Sequence, residues 1–76
     1  MTDKATIRVF IADDHAIVRE GLKQILAEQR DIIVAGEAET GLDAVKLVGK
    51  ARPHVMLLDI SLPDRNGIDV LKQIKK

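Results

Sequence analysis

Residues 55–67, VMLLDISLPDRNG, carry four consecutive apolar residues, Val55 to Leu58, directly onto a carboxylate, Asp59, and then into a Pro63-Asp64 turn. Unbroken apolarity predicts a strand covered on both faces, as in a parallel sheet flanked by helices. A charge at the end of such a strand belongs at the rim of the sheet, where water or a ligand meets it. The rest of the chain decides whether other strands deliver charges to the same rim.

Downstream, Asn66 and Gly67 open a helix expected to bury Ile68, Leu71 and Ile74. Upstream, Pro53 stops a helix that Leu42, Val45 and Val48 carry to about Ala51. Its start, Thr40-Gly41-Leu42-Asp43, reads as a capping box, in which the Thr40 hydroxyl and the Asp43 carboxylate satisfy free amides. Ile32 to Ala35 reads as a strand, and Val18, Leu22, Ile25 and Leu26 recur at helical spacing between Ala16 and Glu28. IRVFIA, residues 7–12, is β-branched and aromatic enough for a first strand. The order β-α-β-α-β-α predicts an α/β domain with right-handed crossovers, a parallel sheet and helices on both faces. Sites in such sheets form at the carboxyl ends of strands where the winding reverses.

Composition narrows the function classes. At 76 residues the chain is one small domain that buries roughly 60 to 65 per cent of its unfolded surface. Without cysteine it has no disulfide staple, so its core is expected to supply about 3 to 5 kcal/mol. Twelve basic and twelve acidic residues cancel, which removes the electrostatic argument for binding nucleic acid through this segment. Phe10 is the single aromatic residue, too few for a stacking platform on single strands. No apolar run approaches the ~20 residues of a membrane helix, and the start MTDKATIRVF lacks a signal-peptide core, so the expected compartment is the cytoplasm.

Asp13 and Asp14 follow the first strand and Asp59 closes the third. Alone, an Asp-Asp pair before a helix is ordinarily a cap, and a strand-end Asp an ordinary turn residue. Together, if the two strands are neighbours, they put three like charges a few ångströms apart, and such a cluster holds either a proton or a cation. A hard divalent ion suits it, because magnesium takes oxygen ligands and keeps several waters. With the charge neutralised, a carboxylate can attack phosphorus and form an aspartyl phosphate.

VFIADDHAIVREGLKQIL, VAGEAETGLDAV and VMLLDISLPDRNGIDVLKQI together resemble the first three βα units of a bacterial response-regulator receiver domain, of the NarL/FixJ-type branch, over residues 6–76. The resemblance implies the first half of a CheY-like, flavodoxin-like doubly wound parallel sheet, with strand order 2-1-3. It implies Asp59 as phosphoacceptor, Asp14 as direct Mg2+ ligand, Asp13 as its water-mediated partner and the backbone carbonyl of Ser61 as third protein ligand. Pro63 and Gly67 match the loop that shapes this corner. The implied function is signal transduction in a two-component system: a sensor histidine kinase donates the phosphoryl group, and a C-terminal helix-turn-helix domain regulates transcription.

The family has five βα units and this sequence carries three. The hydroxyl residue after strand four, the switch aromatic on strand five and the lysine after it are not among the 76 residues, nor is the DNA-binding domain. The expectations are therefore weak or no phosphorylation of the isolated chain by acetyl phosphate, no enzyme activity of its own, and homo-oligomers formed through an exposed third strand. A phosphohydrolase of the haloacid-dehalogenase type would place a second Asp two residues after the first, where this chain has Ser61. A nucleotide-binding fold would need a glycine-rich loop after strand one, which is absent. His15 reads as a rim residue and His54 as structural. Gly21 is expected to mark close backbone packing, and the terminal KQIKK to complement a helix C-terminus.

Overall fold

A computed structural model describes residues 6–75, so the MTDKA start and Lys76 of the terminal KQIKK lie outside the described residues. The elements are β1 (Ile7–Ala12), α1 (Ala16–Ala27), β2 (Ile32–Ala38), α2 (Gly41–Ala51), β3 (Val55–Leu58) and α3 (Gly67–Ile74). The three strands form one parallel sheet in the order β2-β1-β3, the expected first half of the doubly wound fold.

β1 is the centre of the molecule. Val9, Phe10, Ile11 and Ala12 are all buried, because both flanking strands and both faces cover them. On one face Phe10 and Ala12 pack with Ala38, Ala44, Ala51, Leu62 and Val70 from β2, α2 and the segment from β3 through α3. The alanines are small enough for α2 to lie close on the sheet. At the far end, the Arg8 guanidinium donates to the Ala51 carbonyl at 3.0 and 2.8 Å and so closes the C-terminus of α2. His54 is structural: its Nδ1 accepts from the Arg8 amide at 2.9 Å while its own amide donates to the Arg8 carbonyl at 2.8 Å.

Four expectations are corrected. β2 does not stop at Ala35 but runs to Ala38, because a bulge shifts the pairing from Val9↔Val34 to Phe10↔Gly36 and lets the strand continue through Gly36 and Glu37. In α3 the fully buried residue is Val70, whereas Ile68 and Leu71 are 51% and 44% exposed and Ile74 is half-buried; the helix turns Gly67 and Val70 inward. β3 is packed on one face only, through Met56 and Leu58, because α1 lies against β2 and leaves Val55 and Leu57 open. Gly21 marks no close packing, since a Cβ there would meet nothing within 4 Å.

Half of the capping box forms, with the Thr40 hydroxyl accepting from the Asp43 amide at 3.1 Å. The next amides are taken by a residue from another element: Asp64, in the β3–α3 loop, accepts from Gly41 at 2.6 Å and Leu42 at 2.9 Å. The Gly41 amide first, with the other amides and Arg65 beside it, holds the Asp64 carboxyl below the usual carboxylate range. A depressed pKa contributes stability that is present at neutral pH and lost as pH falls through the folded value. Asp64→Ala is therefore expected to lower the melting temperature by several degrees at pH 7. The two melting curves should converge at acid pH; an equal difference at all pH values would show that the charge is not what matters.

Candidate phosphoacceptor and cation site

The sheet itself builds the site. Past the last residues of β1 and β3 the ladder continues by one bond on each side: the Asp13 amide donates to the Ala38 carbonyl at 3.0 Å, and the Asp59 amide donates to the Ala12 carbonyl at 2.9 Å. Ala12 pairs with both Ala38 and Leu58, so the residues that follow these strands emerge side by side. Asp13, Asp14, His15 and Asp59 each place a ligand atom so that all lie within 4.8 Å of one another. Asp13, Asp59 and Ser61 line one open cavity of about 450 Å3, with Ile11, Leu22 and Leu57 as its apolar wall.

The cap that an Asp-Asp pair alone would ordinarily make is not formed. The residue preceding α1 is His15, and no side chain bonds the free amides of that helix. Asp13 Oδ1 instead accepts from the His15 amide at 2.9 Å and meets His15 Nδ1 at 2.7 Å. That nitrogen also lies 3.1 Å from Asp14 Oδ1 and 3.7 Å from Asp59 Oδ2. His15 is thus no bystander at the rim: its imidazole sits among all three carboxylates. The bond to Asp13 first, then the charges of Asp14 and Asp13, raise its pKa above the usual histidine value. Burial pulls the Asp13 carboxyl upward, but the hydrogen bonds from His15, with the charges of His15 and Arg19, outweigh it and leave the carboxyl below its ordinary value.

Ser61 lies where the sequence places it, two residues beyond Asp59, and turns its amide and hydroxyl onto Asp59 Oδ1 at 2.9 and 3.1 Å. One acceptor oxygen is thereby held by the loop and the other, Oδ2, faces the cluster. Gly67 explains how the loop comes so close: it is buried, and its amide donates to the Ile60 carbonyl at 2.7 Å. The carboxylate oxygens gathered from two strand ends suit a hard divalent cation. His15 Nδ1 lies within 4 Å of a carboxylate oxygen of each of Asp13, Asp14 and Asp59, so the three acidic groups share one neighbour.

One residue escaped the sequence reading. Arg19, on α1, has a side chain only 11% exposed and donates from Nη1 to the Asp13 carbonyl at 2.6 Å. The available signal was an arginine one turn into the helix behind two aspartates, a pattern that by itself equally fits a solvated helix face.

A family model described as response regulator receiver domain matches residues 9–76. An uncharacterized transcriptional regulatory protein, YhcZ of Bacillus subtilis, is 43% identical over 67 residues, 88% of this chain and 31% of that protein. Among solved structures, the response regulator domain of Thermotoga maritima CheB superposes with a TM-score of 0.87 at 43% identity, covering 91% of this chain and 52% of that one. The signal receiver domain of the putative response regulator NarL from Mycobacterium tuberculosis gives 0.87 at 33% identity, covering 95% and 58%. The chain therefore spans about a third of that curated relative and little more than half of these solved domains.

Proposed function

Because this chain belongs to the response regulator receiver domain family, we propose that residues 6–76 are the first three βα units of a phosphoacceptor receiver, with Asp59 as the acceptor. The observation that carries the reading is the convergence of Asp13, Asp14 and Asp59, with His15 beside them, to ligand atoms within 4.8 Å of one another. Asp14 and Asp59 would hold Mg2+ directly, Asp13 through a water, and the Ser61 carbonyl would complete the protein's share. When bound, the ion would neutralise the carboxylates and draw charge from a phosphoryl oxygen. A carboxylate oxygen of Asp59 forms the new P–O bond while the P–N bond of a sensor histidine kinase's phosphohistidine breaks, the electron pair leaving on the imidazole nitrogen. Ser61 steadies the carboxylate from the opposite oxygen.

We read the chain as a signalling domain and not as an enzyme. In the whole protein the output is transcription regulation through a C-terminal helix-turn-helix domain, so DNA is contacted only outside these residues. Among the described residues no helix is long and apolar enough to cross a membrane, and the proposed compartment is the cytoplasm. Titrating the 15N-labelled chain with Mg2+ tests the site. Saturable shifts are expected at residues 13–15 and 59–61, and Asp14→Ala should weaken binding at least as much as loss of an outer-shell partner, about 10–100-fold. Wild-type protein that shows no saturable shift would sink the reading.

A second reading concerns β3, which among the described residues pairs only with β1 and exposes Val55 and Leu57 by 45% and 36%. An open apolar edge is a template for another strand. We propose that the 76-residue chain dimerises through two β3 strands. Sedimentation equilibrium should show a dimer that Leu57→Lys dissociates; a monomer at high concentration would exclude it.

A further inference from the structure

Arg19 reaches three parts of the fold with one guanidinium. Nη1 donates to the Asp13 carbonyl at 2.6 Å, Nε to Glu37 Oε1 at 3.1 Å and Nη2 to Glu39 Oε2 at 3.3 Å. Glu37 is itself held by Lys23 at 2.9 Å, and Lys23 by Glu20 at 2.8 Å. The anchor on the far side of the arginine is therefore a network tied to both α1 and β2. The near side ends on a single backbone oxygen.

That oxygen belongs to the peptide joining Asp13 to Asp14. A peptide unit is planar and contains the Cα atoms of both residues, so a group that holds its carbonyl narrows the directions from which both side chains depart. β2 already holds the Asp13 amide through Ala38. Arg19 holds the following plane, at the point where the sheet ladder has ended and the α1 ladder begins only with the Arg19 amide on the His15 carbonyl at 3.0 Å. Between those two ladders no other bond to the Asp13 carbonyl is present among the described residues.

We propose that Arg19 is a positioning residue for the cation site: its hydrogen bond to the Asp13 carbonyl, braced by Glu37, sets the Asp13–Asp14 peptide plane and so aims both carboxylates at the gap they share with Asp59. The inference rests on the reading that these carboxylates hold Mg2+. Arg19 bonds the Asp13 carbonyl and not its carboxylate; its charge also lowers the pKa of the Asp13 carboxyl, and Arg19→Lys, which keeps that charge, isolates the effect of backbone geometry. Lysine does not replace it. An ammonium carries the charge but lacks the planar fork that meets Asp13 and Glu37 together.

The test compares Mg2+ titrations of wild type, Arg19→Lys, Arg19→Ala and Arg8→Ala by 15N spectra, with thermal melting and amide hydrogen exchange of the metal-free proteins. Arg8→Ala removes the α2 closure, remote from the site, and serves as the control for lost stability. Arg19→Lys is expected to weaken Mg2+ binding about tenfold, as for outer-shell partners of metal ligands, and to speed exchange at the Asp14 and His15 amides. Arg8→Ala should melt lower yet bind as wild type does. Arg19 variants that bind Mg2+ like wild type would overturn the inference alone. So would an equal loss of affinity in Arg8→Ala, since stability would then be the whole cause. Wild type without a Mg2+ response would remove the functional reading and this inference together.

Discussion

Gly67→Ala is expected to cost about 3 kcal/mol, the upper end of what overpacking a site usually costs, and to lower the melting temperature by roughly 12–24 °C. A Cβ on Gly67 would stand 2.5 Å from the Asp59 carbonyl oxygen and 2.7 Å from Ile60 Cα. Both are backbone atoms, so no side-chain rotation relieves the clash, and the start of α3 must move away from the end of β3. The residue's own conformation is ordinary, since no glycine here has a positive φ. The glycine is needed for space and not for freedom. Against a core expected to supply about 3 to 5 kcal/mol, this one methyl removes most of the stability. Because the obstructing oxygen is Asp59's own, any relaxed structure displaces the proposed phosphoacceptor, and the Mg2+ response should weaken even where the variant stays folded. Gly21→Ala and Gly49→Ala are the contrast: a Cβ there meets nothing within 4 Å. In helix interiors these changes should stabilise by up to about 1 kcal/mol. Circular dichroism melts of the three variants decide it, and a Gly67→Ala curve within a few degrees of wild type would refute the steric argument.

The same loop shows what a sequence states and what it leaves to packing. β1 and β3 have the bounds read from the residues, 7–12 and 55–58, because an apolar run that ends on a carboxylate marks a strand's exit from the core without help from its neighbours. The apolar pattern of β2 ends at Ala35, because Gly36 and Glu37 break it. Pairing with β1 across a bulge carries them, and no local signal announces a partner. The acidic residues were legible for the same reason as β1 and β3. Strand ends stay at the rim whatever the side chains do, and the topology alone brings Asp13 and Asp14 beside Asp59. His15 and Arg19 were not legible, because both depend on how α1 sets down on the sheet. A small rotation of that helix would part His15 from the carboxylates and Arg19 from the Asp13 carbonyl. α3 makes the point in reverse: Ile68, Leu71 and Ile74 fit helical spacing, yet the helix turns Val70 inward and leaves Ile68 and Leu71 along a groove with Met56, Leu58 and Ile60.

Phe10→Ala is expected to abolish cooperative folding altogether. Phe10 is fully buried at the centre of β1, and truncating a buried Phe costs about 3–5 kcal/mol, as much as the whole domain is expected to supply. The more informative variant is Phe10→Leu, which keeps the core filled and allows a cycle with Gly36. Gly36 faces the ring across the bulge: a Cβ there would lie 2.9 Å from Phe10 Cε2 and 3.0 Å from Cδ2, with Ala51 Cβ at 3.4 Å beyond. Gly36→Ala should therefore destabilise the wild-type chain by about 1–3 kcal/mol, because a ring buried on every side has no rotamer to yield to. Leucine ends before the Cε position, so in the Phe10→Leu background the same methyl finds room, and the cost should fall by at least half. Contacting residues couple on this scale, about 0.5–3 kcal/mol, whereas independent ones add. Urea melts of the four proteins measure the coupling. Strict additivity would mean that the ring does not hold Gly36 in place, and the bulge that carries β2 on to Ala38, whose carbonyl anchors the Asp13 amide, would then need another cause.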